Sequence, residues 1–151
     1  MAFEFIIAVV LILAIVFYII NYLNTGVFVF SREAQLNDLE SKAVQASNLL
    51  LYNPGVWASG QPKQLGLELS WPVLNSTKLN DLQNYCNTNY DDLLEKLDLS
   101  GKKTRIIVDE TTGQNIVLCG PDLPRAVLNV NVKRFALSES NRPLILNLWV
   151  W

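Results

Sequence analysis

The chain has 151 residues, of which 50% are apolar, and a formal net charge of −2. It contains no histidine, so the commonest general base and the commonest metal ligand are both missing. A weakly acidic chain without a basic patch is also a poor match to a nucleic-acid-binding protein, so we expect no nucleic-acid partner.

The first predicted element is an apolar helix at the N-terminus. Sixteen apolar residues run without interruption from Phe5 to Ile20. Since about 20 apolar residues span a bilayer, this stretch predicts a membrane helix. It is unlike a secretory signal peptide, because no Lys or Arg precedes it and no small-residue cleavage site follows it.

Glu4 is the only charged side chain before Arg32. A carboxylate within hydrocarbon costs about 2.5–3.5 kcal/mol on insertion scales, so it needs a compensating interaction. One interpretation is that Glu4 only caps the helix at headgroup level, where unpaired backbone N–H groups favour negative charge. The other is that Glu4 pairs with an amine, either that of Met1 in its own chain or that of a neighbouring subunit.

An amphipathic helix is predicted to continue the apolar one. Its apolar positions recur at spacings of 3, 4, 3 and 4, which is one helical stripe: Leu36, Leu39, Ala43, Ala46 and Leu50. Pro54 and Gly55 are expected to end this helix. A weak point lies between the two halves, where Asn21, Asn24 and Gly26 are poor helix formers, and we predict a bend or a melted hinge there.

The N-terminal stretch "AFEFIIAVVLILAIV" resembles the helix of archaeal type IV pilins, in which an early glutamate precedes a long apolar run. Further similar stretches are "NPG" with Trp57, "LNSTKLNDL", "NYDDLLEKLDL" and "VKRFAL…LILNLWVW". In that family the glutamate is usually the fifth residue of the mature chain, whereas here it is the fourth. The resemblance implies a class III leader, a prepilin peptidase and a pilus assembly machinery as partners.

The rest of the chain predicts an α+β domain with a short helical insert and an antiparallel sheet. Helices are expected from Ser76 and from Thr88, the latter with Asp91 in a capping-box pattern. Strands are expected at 65–70, 104–109, 115–119, 126–135 and 143–151. The last strand is apolar almost throughout, so we expect it to be covered on both faces, with Trp149 and Trp151 against the long helix, in the core or against another subunit.

Three parts of the chain are therefore predicted. Residues 1–30 form a hydrophobic helix, which spans the membrane in the precursor and forms the filament core after assembly. Residues 31–53 form the amphipathic half of the same helix. Residues 54–151 form the globular α+β domain.

Cys86 and Cys119 would both lie outside the cell in this topology. Paired extracellular cysteines usually oxidise, so a disulfide is predicted, and two buried thiols are the alternative. Asn75 begins the sequon Asn-Ser-Thr, which predicts either an N-glycosylation site or an asparagine that forms a turn or caps a helix. The adjacent acids Asp109 and Glu110 are interpreted as a solvated turn and not as a catalytic pair.

The functional hypothesis is a structural subunit of an archaeal type IV pilus-like surface filament, which polymerises with copies of itself through its N-terminal helix. The candidate assembly residues are Met1, Glu4 and Phe5. The precursor would wait in the cytoplasmic membrane, and no cofactor, metal or enzymatic activity is expected. The alternative is a membrane-anchored extracellular binding module that does not polymerise, which predicts a flexible linker after the membrane helix.

Overall fold

The computed structural model describes residues 2–125 and 127–151, without the side chains of Ala2 and of residues 24–29. In chain order the elements are α1 (Ala2–Leu51), β1 (Val56–Ala58), β2 (Gln61–Gln64), β3 (Glu68–Ser70), β4 (Val73–Leu74), α2 (Ser76–Thr88), α3 (Tyr90–Lys96), β5 (Thr104–Glu110), β6 (Asn115–Cys119), β7 (Val130–Leu137) and β8 (Pro143–Val150). The predicted α+β class, with a long N-terminal helix and a helical insert before the main strands, is confirmed.

The chain forms two compact units, and their boundary falls within α1. The first unit ends at Asn37, and the second unit comprises Asp38–Trp151. In the second unit α1 contributes Leu39, Ala43, Ala46 and Leu50 to the core. The predicted apolar stripe is therefore confirmed from Leu39 onward, whereas Leu36 belongs to the first unit and is half-buried.

The larger sheet of the second unit has the strand order β3-β4-β7-β8-β5-β6, and β1 and β2 form a separate hairpin. Among the described strands all neighbours are antiparallel except β4 and β7, which are parallel at Val73 and Leu137. Parallel neighbours need a long crossover, and α2, α3, β5 and β6 supply it. The predicted antiparallel sheet is thus confirmed except at this one pairing.

One face of this sheet forms the core, because successive side chains of a strand point to opposite faces. A row of directly opposed residues crosses four strands on the buried face: Cys119, Ile106, Leu148 and Val132. On β8 the residues Leu144, Leu146, Leu148 and Val150 are fully buried. Trp149 lies on the opposite face, opposite Asn131 and Arg105, and is only half-buried. Within one chain, only one face of β8 is fully buried, so the prediction that β8 is covered on both faces is wrong there.

Two predicted strands are shorter than expected. Strand β3 begins at Glu68 and not at Leu65, because the backbone N–H and C=O of Leu67 form hydrogen bonds with residues that do not belong to a strand. Its N–H donates to the carbonyl of Leu50 and its carbonyl accepts from the N–H of Asn75, both at 2.8 Å. The strand predicted from Ala126 begins at Val130, since Val130 lies opposite Val150, the last residue of β8. Ala126 itself lies outside the described residues.

The start of α3 also differs from its prediction. Its N-cap is Asn89, which makes no side-chain capping bond. The Thr88 hydroxyl donates instead to the carbonyls of Asn84 and Tyr85, at 3.1 and 3.3 Å. Thr88 thus ends α2 and does not open α3, so the predicted capping box is wrong.

Candidate assembly site

The N-terminal stretch Phe3–Leu23, here called the apolar segment, is the strongest functional feature. It has 21 residues, a mean hydropathy of 3.0 and no buried side chain. At 1.5 Å per residue it is about 31 Å long, close to the roughly 30 Å of a bilayer's hydrocarbon core. Among the described residues it is the one helix long and apolar enough to cross a membrane.

The apolar segment is hydrophobic on every side of the helix and not along one stripe. Seventeen large apolar or aromatic side chains between Phe3 and Leu23 are exposed. Burying each of these side chains would stabilise the protein by about 1.5–3 kcal/mol. Exposing all of them to water is therefore unfavourable by on the order of tens of kcal/mol. A helix that is apolar all round requires an apolar environment on all sides, either lipid or other helices.

Glu4 and Phe5 lie where the sequence predicts them, at the start of this segment. Glu4 is the acidic residue in the first turn of α1, and Phe5 is 71% exposed. The first N–H groups of a helix have no partner within it, so a carboxylate there is favourable. Met1, the third candidate assembly residue, lies outside the described residues, and the pairing of Glu4 with an amine stays a prediction.

The other end of the apolar segment has an aromatic pair that the sequence analysis did not single out. The rings of Tyr18 and Tyr22 stack with centroids 6.4 Å apart. Both are 70% exposed, and the neighbouring Asn21 side chain donates to the carbonyl of Phe17 at 3.0 Å. Tyrosines are typical of the membrane–water interface, where the ring is apolar and the hydroxyl is wet. Their spacing of four residues on a helix is a signal that could have identified them.

The predicted hinge is helical in its backbone. Helix α1 is continuous from Ala2 to Leu51, so the expected melting between Asn21 and Gly26 is wrong. Poor helix formers cost only about 0.5–1 kcal/mol each, and the backbone of α1 continues through all three. The side chain of Asn24 lies outside the described part of the structure, and a hinge function at Asn21, Asn24 and Gly26 stays a prediction.

In the second unit, α1 ends at Leu51, shortly before Asn53, Pro54 and Gly55. The Asn53 side chain accepts the N–H of Gly55 at 2.9 Å, and Gly55 has a φ of +62°. A Cβ built on Gly55 would lie 2.7 Å from the backbone of Gly66, so only glycine fits between these segments. Trp57 then donates from its indole N–H to the Gly66 carbonyl at 2.9 Å. These contacts explain locally why "NPG" is followed by a tryptophan.

Cys86 and Cys119 form the predicted disulfide, with Cα atoms 5.7 Å apart. The bond joins α2 to β6, and both cysteines are buried. The prediction that a disulfide ties the helical insert to the sheet is confirmed. In the part of the chain that the structure describes, no cysteine is free.

Asn75 is the N-cap of α2. Its side-chain oxygen accepts the N–H of Lys78 at 3.0 Å, and its own N–H donates to the carbonyl of Leu67. The helix-cap interpretation is therefore confirmed. The bond uses the side-chain oxygen, whereas a glycan would be attached to the nitrogen, so N-glycosylation of Asn75 stays a prediction.

The most perturbed titratable group of the second unit is structural. Burial, and then a hydrogen bond donated to Asp92, raise the pKa of Tyr85 to about 12. The same bond, together with Lys96 at 3.1 Å, lowers the pKa of Asp92. This contact joins α2 to α3. Within the described residues no group of three or more His, Cys, Asp or Glu side chains could hold a metal ion.

No family model, no curated protein and no solved structure matches this chain. The site is therefore interpreted from its own geometry: an exposed helix, apolar on all sides, with an acid in its first turn, in the same chain as a disulfide-linked α+β unit that has its own core.

Proposed function

We propose that this chain is the structural subunit of a type IV pilus-like surface filament of an archaeal cell. The observation that supports this most strongly is the apolar segment, which has 21 residues and no buried side chain. The second unit needs no contribution from this segment, because every residue of its buried core lies at Leu39 or beyond. The surface that the segment leaves uncovered is best suited to lipid before assembly and to copies of itself afterwards.

Assembly would transfer the apolar segment from the membrane to a bundle of identical helices. The free energy of burial is similar in the two environments, so hydrophobicity alone would not fix the axial position of a subunit. Glu4 would supply that position. It is costly in hydrocarbon, and in the filament it would pair with the N-terminal amine of the same chain or of a neighbour. An unpaired charge in an apolar core costs several kcal/mol, so a misplaced subunit would be strongly disfavoured.

The resemblance to archaeal pilins suggests the remaining partners of this proposal. A prepilin peptidase would process the precursor in the cytoplasmic membrane, and an assembly machinery would extract it. A non-polymerising membrane-anchored module is the competing function. It calls for a flexible linker, whereas α1 is continuous from the apolar segment into the second unit, which favours the filament.

The test is to compare Glu4→Ala and Glu4→Asp with wild type in cells that produce the chain. We expect Glu4→Ala to insert into the membrane at least as well as wild type, since a charge has been removed from hydrocarbon. It should reduce or abolish filaments, and Glu4→Asp should be intermediate because its side chain is shorter. Filaments are counted by negative-stain electron microscopy and divided by the amount of membrane-embedded subunit.

Glu33→Ala is the matched control, because Glu33 is an exposed acid on the same helix but outside the apolar segment. It should leave filament numbers unchanged. The absence of filaments containing the wild-type chain would overturn the proposed function. Normal filament numbers with Glu4→Ala would remove only the pairing role, and Glu4 would then be a plain helix cap.

A further inference from the structure

The sequon Asn75-Ser76-Thr77 lies where the chain passes from β4 into α2. Asn75 is the N-cap of α2, and Ser76 and Thr77 are the first residues of the helix. An N-glycan acceptor needs the carboxamide of the asparagine and the hydroxyl two residues later, and it is expected on an accessible loop. A transferase would therefore have to bind the same three residues that begin this helix.

Backbone contacts with other parts of the second unit hold the sequon in place. The N–H of Asn75 donates to the carbonyl of Leu67 at 2.8 Å. The N–H of Ser76 donates to the carboxylate of Glu139, also at 2.8 Å. Glu139 lies between β7 and β8 and is 63 residues from Ser76 in sequence. This second contact therefore forms only when the last two strands have met the start of α2.

The acceptor side chain is held as well. The Asn75 side-chain oxygen accepts the N–H of Lys78 at 3.0 Å, and Asn75 is half-buried, whereas Thr77 is exposed. The Lys78 ammonium donates in turn to the carbonyls of Pro54 and Glu68. An amide whose oxygen accepts a hydrogen bond is polarised, which keeps its nitrogen lone pair conjugated with the carbonyl and makes the nitrogen a poorer nucleophile. The folded sequon thus presents the Thr77 hydroxyl but not a reactive carboxamide.

The disulfide restrains α2 farther along the helix. Cys86 lies on the same helix as the sequon, and Cys119 is the last residue of β6. A cross-link reduces the number of open conformations available to a chain. Once this bond has formed, α2 stays tied to the sheet, so the start of the helix opens less often than in the reduced chain.

We propose that Asn75 is an N-glycan acceptor only before α2 docks on the sheet, and that folding and the Cys86–Cys119 bond close this site. In the transfer, the Asn75 side-chain nitrogen forms a bond to the anomeric carbon of a lipid-linked sugar, and the bond from that carbon to the lipid phosphate breaks. The lipid phosphate leaves, and the nitrogen loses one proton to a base of the transferase. This gating involves the second unit alone and does not depend on filament formation.

The test is glycan transfer to the full chain in detergent micelles, with a purified oligosaccharyltransferase and its lipid-linked sugar donor. Mass spectrometry of the Asn75 peptide measures the occupancy. The folded, oxidised wild type should accept at least about tenfold less glycan than wild type diluted from urea and reductant into the same reaction, because the folded chain offers the site only through local opening. The double variant Cys86→Ser, Cys119→Ser should fall between these two.

Glu139→Ala tests the local restraint without altering the sequon or the disulfide. Glu95→Ala is the matched control, because Glu95 is an exposed acid on α3. Folded Glu139→Ala should accept several-fold more glycan than the wild type, whereas Glu95→Ala should behave as wild type. Thermal melts establish that both variants fold. If Glu139→Ala does not fold, Glu139→Gln takes its place, since it keeps an acceptor oxygen, and a smaller increase is expected.

Three results would overturn the proposal: equal transfer to the folded and the unfolded wild type, no transfer to the unfolded chain, or a folded Glu139 variant that accepts no more glycan than Glu95→Ala. Thr77→Ala lacks the hydroxyl of the sequon and should accept no glycan in either state. Transfer to Asn75 in this variant would also count against the proposal, because it would not depend on the sequon.

Discussion

The two ends of helix α1 have the same backbone conformation and opposite surroundings. Between Phe3 and Leu23 the side chains are exposed on all sides, whereas between Leu39 and Leu51 one stripe is buried in the core of the second unit. The second stretch is stabilised within the chain, because burial of an amphipathic face supplies most of the stability of a protein helix. Within the part of the chain that the structure describes, the apolar segment has no buried side chain, so its stability depends on its environment. The difference separates the residues that form the core of the second unit from those that have no buried contacts.

The sharpest test of this comparison replaces one leucine in each stretch by alanine. Leu50 is 0% exposed and Leu13 is 62% exposed. Leu50→Ala should lower the free energy of unfolding of the second unit by about 2–5 kcal/mol, because it leaves a cavity in a packed core. Leu13→Ala should change it by less than about 0.5 kcal/mol. Urea unfolding of the full chain in micelles, followed by circular dichroism, measures both, and equal effects would contradict the separation.

Loss of the disulfide should come next in size and should affect the second unit alone. The bond closes a loop with a sequence separation of 33 residues. In the chain-entropy model the double variant Cys86→Ser, Cys119→Ser loses roughly 3–4 kcal/mol of stability. Non-reducing peptide mapping checks that the bond exists in the wild type, and thermal melts of both proteins give the difference. Recovery of both cysteines as free thiols in the wild type would contradict the disulfide itself.

A smaller effect is expected at Asn75, where three variants separate the cap from the sequon. Asn75→Ala removes the cap and should cost about 1 kcal/mol, whereas Asn75→Ser should retain most of the stability. Thr77→Ala abolishes the sequon and leaves the capping oxygen in place. Mass spectrometry of the Asn75 peptide from the native host, before and after Thr77→Ala, tests for the glycan. A stability of Asn75→Ala equal to that of wild type would contradict the cap.

The last expected effect is the pH dependence of the contact between Tyr85 and Asp92. The pKa of Tyr85 is raised from 10.0 to about 12, so the folded state holds this proton more tightly than the unfolded state. Its contribution to stability is full below pH 10 and is lost as the pH rises toward 12. The pKa of Asp92 is lowered, so its contribution is present above the ordinary carboxyl value and is lost as the pH falls. Thermal melts across this range should show a shallower alkaline decline for Tyr85→Phe than for wild type.

Much of the second unit could be predicted from local pattern. Strands β5 and β6 were predicted within one residue, because alternation and a turn signal are local features. The errors lie where a distant partner decides the backbone. Leu67 looks like part of a strand but bonds to the carbonyl of Leu50, and β7 begins only where β8 supplies a partner. Such pairings depend on residues far apart in the chain, which periodicity does not record.

Within the candidate site, Glu4 and the apolar segment were evident from the sequence, because a single charge beside sixteen apolar residues needs no tertiary information. That Asn75 caps α2 was only one interpretation of the sequence beside the sequon, and the structure was needed to confirm it, since capping depends on where α2 begins. The hydrogen bonds between the Gln83 amide and the backbone of Leu118 were also not evident from the sequence. Gln83 and Leu118 are 35 residues apart, and neither belongs to a recognisable motif.

The sequence by itself determined that this chain has a membrane-length apolar helix with one acid at its start and a separate α+β domain, because composition and periodicity act over neighbouring residues. Only the tertiary structure decided which surfaces remain available. It bonded the backbone of Leu67 to Leu50 and Asn75, and it placed the Gln83 amide on the backbone of Leu118. The physical reason is that exposure depends on which distant elements meet, and the free energy of that packing is summed over the whole fold.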